Sequence, residues 1–322
     1  MLRLRSIAAF SLVVSALYAC GSSTDDGANG GNGGGGNGSL DGAFINTSGD
    51  GGNGTGDGAG GGGNCSAPVD MFVMFDRSGS MDEPAQDGQG DCNIGQNVNS
   101  KWCKAINALS GYFNSAGAKG QAAALQFFPL KSHDKDLCGT GDSYNVAALP
   151  PSGFVELSSN TFDGLLNSES PGGGGGGGGT PTEAAIRGIT RFTATPANRR
   201  PGRVTIGVLI TDGDPNGCNE GLNFLSGLLQ THYAATQIRT YVIGMAGADF
   251  KNLEAIAQGG NAPPHPATVG ALTNACGNVP APCRHWNVGN GDPAAFIAAM
   301  AAIQASADGC APGGGTVNPI PK

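Results

Sequence analysis

Basic residues are scarce in this chain of 322 residues: 17 Lys and Arg stand against 25 Asp and Glu, for a formal net charge of −8. That balance argues against nucleic acid as a partner, because its phosphates demand a basic face. Several catalytic and metal motifs are missing too. There is no Cys-x-x-Cys, and His133, His232, His265 and His285 show no paired ligand spacing, so disulfides are preferred over zinc for the cysteines. No Gly-x-Ser-x-Gly elbow presents a serine nucleophile, and the glycine run Gly172 to Gly179 is not followed by the Gly-Lys-Ser/Thr of a phosphate loop. The apolar run from Ile7 to Leu17 is too short for an ordinary membrane-spanning helix.

Glycine, by contrast, is abundant, with 58 residues, many of them before position 64. Residues 21–64 combine Gly, Asn, Ser, Thr and Asp with few large apolar side chains, and so cannot bury enough surface to offset backbone ordering. They are expected to form a flexible tether with a reach of roughly 35 Å. Ahead of it lie Arg3, Arg5, the apolar run and Leu17-Tyr18-Ala19-Cys20. This stretch resembles the signal peptide and lipobox of bacterial lipoproteins. The resemblance implies that residues 1–19 are a signal peptide and residues 20–64 a lipidated, glycine-rich linker anchored through Cys20. The protein is then expected in the bacterial cell envelope, lipid-anchored on a periplasmic or outer membrane face. Loss of Arg3 and Arg5 would take the side-chain charge from −8 to −10.

Nine cysteines less the lipidated one leave Cys65, Cys92, Cys103, Cys138, Cys218, Cys276, Cys283 and Cys310, an even set that points to disulfides in an oxidising compartment. The region 65–312 is long enough for one domain with a substantial core, followed by a flexible tail at 313–322. Within it, Val69 to Phe75 is a nearly unbroken apolar run, as expected for a strand buried on both faces. A helix is expected from about Lys101 to Ser115, a strand from Gln121 to Phe128, and a short edge strand in the proline-bearing region Tyr144 to Leu157. Further helices are expected at Thr182–Phe192, Gly221–Gln237, Phe250–Gln258 and Asp292–Ala307, the last with Asp292 as N-cap and Pro293 in its first turn. Further strands are expected at Arg203–Thr211, Ile238–Met245 and His285–Val288. The alternation implies an α/β fold, a doubly wound and mostly parallel sheet flanked by helices, with ligands beyond the carboxyl ends of the strands.

Oxygen donors gather at those ends. Asp76-Arg77-Ser78-Gly79-Ser80 follows the first buried strand and sets an acid and two hydroxyls at alternate positions. Gly179-Thr180-Pro181-Thr182 precedes a helix, and Ile210-Thr211-Asp212-Gly213 ends the second apolar strand. Carboxylates and hydroxyls without imidazole or thiolate suit a hard cation such as Mg²⁺. These three segments, in this order, resemble the metal-ion-dependent adhesion site of von Willebrand factor type A domains, and the last helix resembles that family's closing helix. The resemblance implies that Asp76, Ser78, Ser80, Thr180 and Asp212 bind Mg²⁺, or Mn²⁺ or Ca²⁺, directly or through water. Thr182 competes with Thr180 for the third loop. An acidic group of a protein ligand would complete the shell, giving a non-enzymatic adhesion or scaffolding function with no organic cofactor.

Two other classes stand beside this one. In a structural envelope lipoprotein the ion would only stiffen the loops. A phosphatase of the haloacid dehalogenase type would need a second aspartate where Ser78 stands. Asp82, Glu83, Asp87 and Asp91 are read as a solvated acidic loop rather than a second cation site, and Asp214 as a turn residue. Trp102, Tyr112 and Phe113 are assigned to packing, His285 and Trp286 to a strand start, and Arg199, Arg200 and Arg203 to solvent. The expected bridges are Cys65–Cys310 across the domain's ends, Cys92–Cys103 and Cys276–Cys283 across local loops, and by elimination Cys138–Cys218 at the metal rim.

Overall fold

In a computed structural model of the chain, the described residues are 67–83, 92–131, 138–172 and 179–307. The expected signal peptide, Cys20, the tether, Cys65, Asp87, Asp91, His133, most of the glycine run, Cys310 and the tail lie outside them. Among the described residues, twelve helices and strands follow one another: β1 Val69–Asp76, α1 Lys101–Phe113, β2 Ala122–Phe128, β3 Val155–Glu156, α2 Asp163–Ser168, α3 Thr182–Ala194, β4 Val204–Thr211, α4 Leu222–Thr236, β5 Thr240–Gly244, α5 Phe250–Gly259, β6 Trp286–Asn287 and α6 Pro293–Ala307. The strands form one sheet in the order β3-β2-β1-β4-β5-β6. All neighbours are parallel except β3, a two-residue edge strand antiparallel to β2.

Every residue of β1 is buried, which the apolar run foretells for a central strand covered by helices on both faces. Phe72 stacks on Phe192 of α3, and Phe75 on Trp102 of α1, so the two faces of β1 each meet a different helix. On one side α6 lies along α1, and α3, α4 and α5 pack in succession. Helix starts follow local chemistry. Ser100 accepts the backbone N–H of Cys103 at 3.1 Å, and Asp292 accepts that of Ala295 at 2.9 Å with Pro293 next in line.

β1 carries one acid inside its apolar run. Asp70 is fully buried and is held by Arg200, through Nε at 2.8 Å, and by Arg203, through Nε at 2.5 Å. The expectation that these two arginines are merely solvated is therefore corrected: a buried carboxylate requires paired cations, and they supply them. This cluster lies at the amino-terminal end of β1, away from the ends where ligands bind in such sheets.

Among the described residues, three disulfides close loops: Cys92–Cys103 before and within α1, Cys138–Cys218 between the loops after β2 and β4, and Cys276–Cys283 between α5 and β6. They match three of the four pairings read from the sequence.

Candidate metal site

The parallel register brings the carboxyl ends of β1 and β4 side by side, with Phe75 opposite Ile210. On β1, Asp76 closes the strand and the chain then turns through a short 3-10 segment, Gly79–Asp82. Asp76 Oδ1 accepts the backbone N–H of Ser78 at 2.7 Å, and Asp76 Oδ2 accepts the hydroxyl of Thr211 at 2.6 Å. The hydroxyls of Ser78 and Ser80 are 3.0 Å apart, and Ser80 Oγ donates to Asp212 Oδ1 at 2.8 Å. Residues 76, 78 and 80 thus converge, while Arg77 turns away to donate to Pro129 O and Glu169 Oε2, each at 2.6 Å.

The third loop is tied to both strands. Gly172 N–H donates to Arg77 O at 2.9 Å, and Asn216 N–H donates to Thr180 O at 2.8 Å. Thr180 Oγ1 lies 2.9 Å from where a side chain on Gly213 would begin, so glycine after Asp212 is what admits the threonine hydroxyl to the site. Thr180 lines the cavity at this rim, whereas the hydroxyl of Thr182 donates to Thr180 O at 3.3 Å. The structure therefore brings together Asp76, Ser78, Ser80, Thr180 and Asp212, and turns Thr182 aside.

Two acids this close and this buried repel one another. Burial first, and the charge of Asp212 second, push the Asp76 carboxyl from 3.8 to about 7, against the opposing hydrogen bonds from Thr211 and Ser78. One cation is built in. Lys101, the first residue of α1, donates from Nζ to Asp212 Oδ2 at 2.5 Å, with side chains 6% and 0% exposed, and also lies 3.6 Å from Glu83. The cavity above has a volume of about 510 Å³ and is lined by Ser80, Glu83, Lys101, Thr180, Asp212 and Glu220 among others. Asp214, read from the sequence as a turn residue, also borders it, and its Oδ1 accepts the backbone N–H of Asp249 at 3.2 Å at the start of α5.

Sequence reasoning placed Thr211 in the strand-ending segment and Lys101 at a helix start, and missed that they pair with Asp76 and Asp212. A strand-ending threonine beside an aspartate and a lysine at a helix start carry no local mark of their partners, which lie 135 and 111 residues away. It also missed that His265 approaches the Cys276–Cys283 bridge, with Nε2 3.6 Å from Cys283 Sγ. Both sulfurs there are committed to the disulfide and offer no thiolate.

The donor set is entirely oxygen: two carboxylates and three hydroxyls. It fits a hard divalent cation, and an ammonium already stands against one of the carboxylates. The family model of the von Willebrand factor type A domain matches residues 173–274. The match takes in Thr180 and Asp212 but not the segment from Asp76 to Ser80. No protein of curated function matches the chain. Solved structures similar to it include proximal thread matrix protein 1 from the mussel byssus, at 12% identity and a TM-score of 0.41 over 74% of this chain and 48% of that one. The same protein with a zinc-occupied MIDAS motif is similar at 17% identity and a TM-score of 0.33, over 60% of this chain and 39% of that one. The chain thus spans about half the length or less of these relatives.

Proposed function

We propose that this domain binds a divalent cation at Asp76, Ser78, Ser80, Thr180 and Asp212 and, through it, an acidic group of a protein ligand. The observation that carries the reading is the convergence of five oxygen-bearing side chains from three separate loops on one rim, two of them carboxylates held by protein donors. Asp76 and Asp212 would supply the charge that balances a dication, and the hydroxyls would add neutral oxygens. Bound there, the ion would act as a Lewis acid toward a carboxylate of the partner. Mg²⁺ is the expected ion because every donor is a hard oxygen; its octahedral shell takes six ligands, so with the partner's carboxylate in place some of the five side chains would bind through water.

The reading is a binding one rather than a catalytic one. Among the described residues lining the cavity none is a histidine, and Ser80 donates to the carboxylate of Asp212. The chemistry of residues 1–64 supports a place in the bacterial cell envelope. Leu17-Tyr18-Ala19-Cys20 would provide a lipid anchor and the glycine-rich stretch after it a spacer, so that the rim could meet ligands away from the membrane surface. Adhesion or scaffolding is the role that such a tethered binding domain would serve. The test is capture of envelope or extracellular proteins by the full chain in Mg²⁺, repeated in EDTA and with Asp212→Ala. Ligand that is retained in Mg²⁺ and lost in both controls supports the reading, and retention unaffected by either removes it.

A further inference from the structure

The ammonium of Lys101 stands where the proposed ion has its business. Asp212 is fully satisfied by protein groups: Oδ1 by the hydroxyl of Ser80 at 2.8 Å and Oδ2 by Lys101 Nζ at 2.5 Å. Lys101 is the one basic residue among the described residues lining the cavity. An amine and a carboxylate so deeply buried are costly unless each has the other, so the pair keeps two otherwise repelling aspartates compatible with the folded state. A dication arriving beside the same carboxylate meets that positive charge and must displace it.

Among the described residues, one other carboxylate, that of Glu83, lies within ion-pair distance of the ammonium. On one side the backbone of Gly247 closes in: a side chain there would begin 3.2 Å from Lys101 Nζ and 2.8 Å from Asp212 O. On the other side is Glu83, whose Oε2 is 3.6 Å from Nζ and whose side chain is 70% exposed. Glu83 is held in register with the lysine, because Lys101 N–H donates to Glu83 O at 2.9 Å. The flexible four-carbon stem of lysine lets its head exchange one carboxylate for another without moving the helix.

We propose that Lys101 is a tethered competitor of the metal, neutralising Asp212 in the metal-free domain and passing to Glu83 when the cation binds. This rests on the metal-site reading above. It gives the site a regulation of its own: the empty state is kept folded and charge-balanced, and affinity is held below what the oxygen donors alone would provide.

The test is calorimetric titration of the full chain with Mg²⁺ alone, comparing wild type, Lys101→Met, Glu83→Gln and the double variant, with thermal melting in EDTA alongside. Lys101→Met is expected to bind Mg²⁺ at least about tenfold more tightly, since a like charge beside a dication outweighs that factor at protein dielectrics. It should also melt at a lower temperature in EDTA. Glu83→Gln should weaken binding in the wild-type background and have little effect in Lys101→Met, the signature of two residues acting as a unit. Folded Lys101→Met that binds no more tightly than wild type overturns the proposal. If that variant does not fold, Lys101→Gln, which keeps a hydrogen-bond donor without the charge, decides by the same criterion. Absence of binding in every protein overturns the site reading and this proposal with it, whereas equal binding in all four overturns the proposal alone.

Discussion

Thr211 Oγ1 donates to Asp76 Oδ2 at 2.6 Å, joining the last residue of β4 to the last residue of β1. The bond fixes which way the Asp76 carboxylate faces, and Ser78 N–H fixes the other oxygen. Positioning partners of this kind set the geometry and basicity of a metal ligand. Thr211→Val keeps the shape of the side chain and removes the donor. It is expected to weaken Mg²⁺ binding about tenfold or more and to cost about 1–3 kcal/mol of stability, because a buried acceptor loses its partner. Thr211→Ser should recover most of both. Calorimetry and urea melts check the pair of outcomes.

The pH dependence has a definite sign. The Asp76 carboxyl is raised from 3.8 to about 7, so between those values the folded chain retains a proton that the unfolded chain has lost. Its contribution to the stability of the metal-free domain is therefore complete below pH 4 and is lost as the pH rises through 7. Metal binding requires the carboxylate, so Mg²⁺ affinity should fall as the pH drops below 7. Melting in EDTA and titration with Mg²⁺ at pH 5.5 and 8 should move in opposite directions. In Asp76→Asn the pH dependence of melting in EDTA should shrink, and Mg²⁺ binding should be lost at both pH values.

Asp70 offers a control at the opposite end of β1. It is fully buried and depends on Arg200 and Arg203 for its charge balance. Replacing both arginines by alanine strands a buried carboxylate and is expected to destabilise the domain by about 3–5 kcal/mol. Adding Asp70→Asn should restore part of the loss. Mg²⁺ affinity should stay unchanged in whichever of these variants folds, as calorimetry would show.

The anchor has a direct test as well. Cys20→Ala removes the sulfur that the proposed anchor would lipidate, and no helix among the described residues is long and apolar enough to cross a membrane. Detergent partitioning should then move the protein from the membrane to the soluble fraction. Partitioning equal to wild type would refute an anchor at Cys20.

Much of the fold was legible because its signals are local. β1 and β4 are apolar runs of eight residues, and the first turns of α1 and α6 carry a serine and an aspartate as caps. The candidate site was legible for the same reason: Asp76, Ser78 and Ser80 share one turn, and Asp212-Gly213 and Thr180 each end a short recognisable segment. β3 was harder, since two residues beside Pro150 and Pro151 have no period to read, and the six-residue α2 went unanticipated. The pairs Lys101–Asp212, Thr211–Asp76 and Arg203–Asp70 each join residues more than a hundred positions apart. Only the packed sheet brings such partners together, so charge in sequence read as solvated surface turns out to be buried counter-charge.

The central claim is that Asp76 and Asp212 are the two carboxylates of one divalent-cation site. Titration of the full chain with Mg²⁺ tests it most directly, with wild type beside Asp76→Ala and Asp212→Ala, each shown to be folded by circular dichroism. The account predicts one saturable site per chain in the wild type and loss of binding in both variants, because each removes half of the compensating negative charge. Wild-type affinity retained in both variants would contradict it.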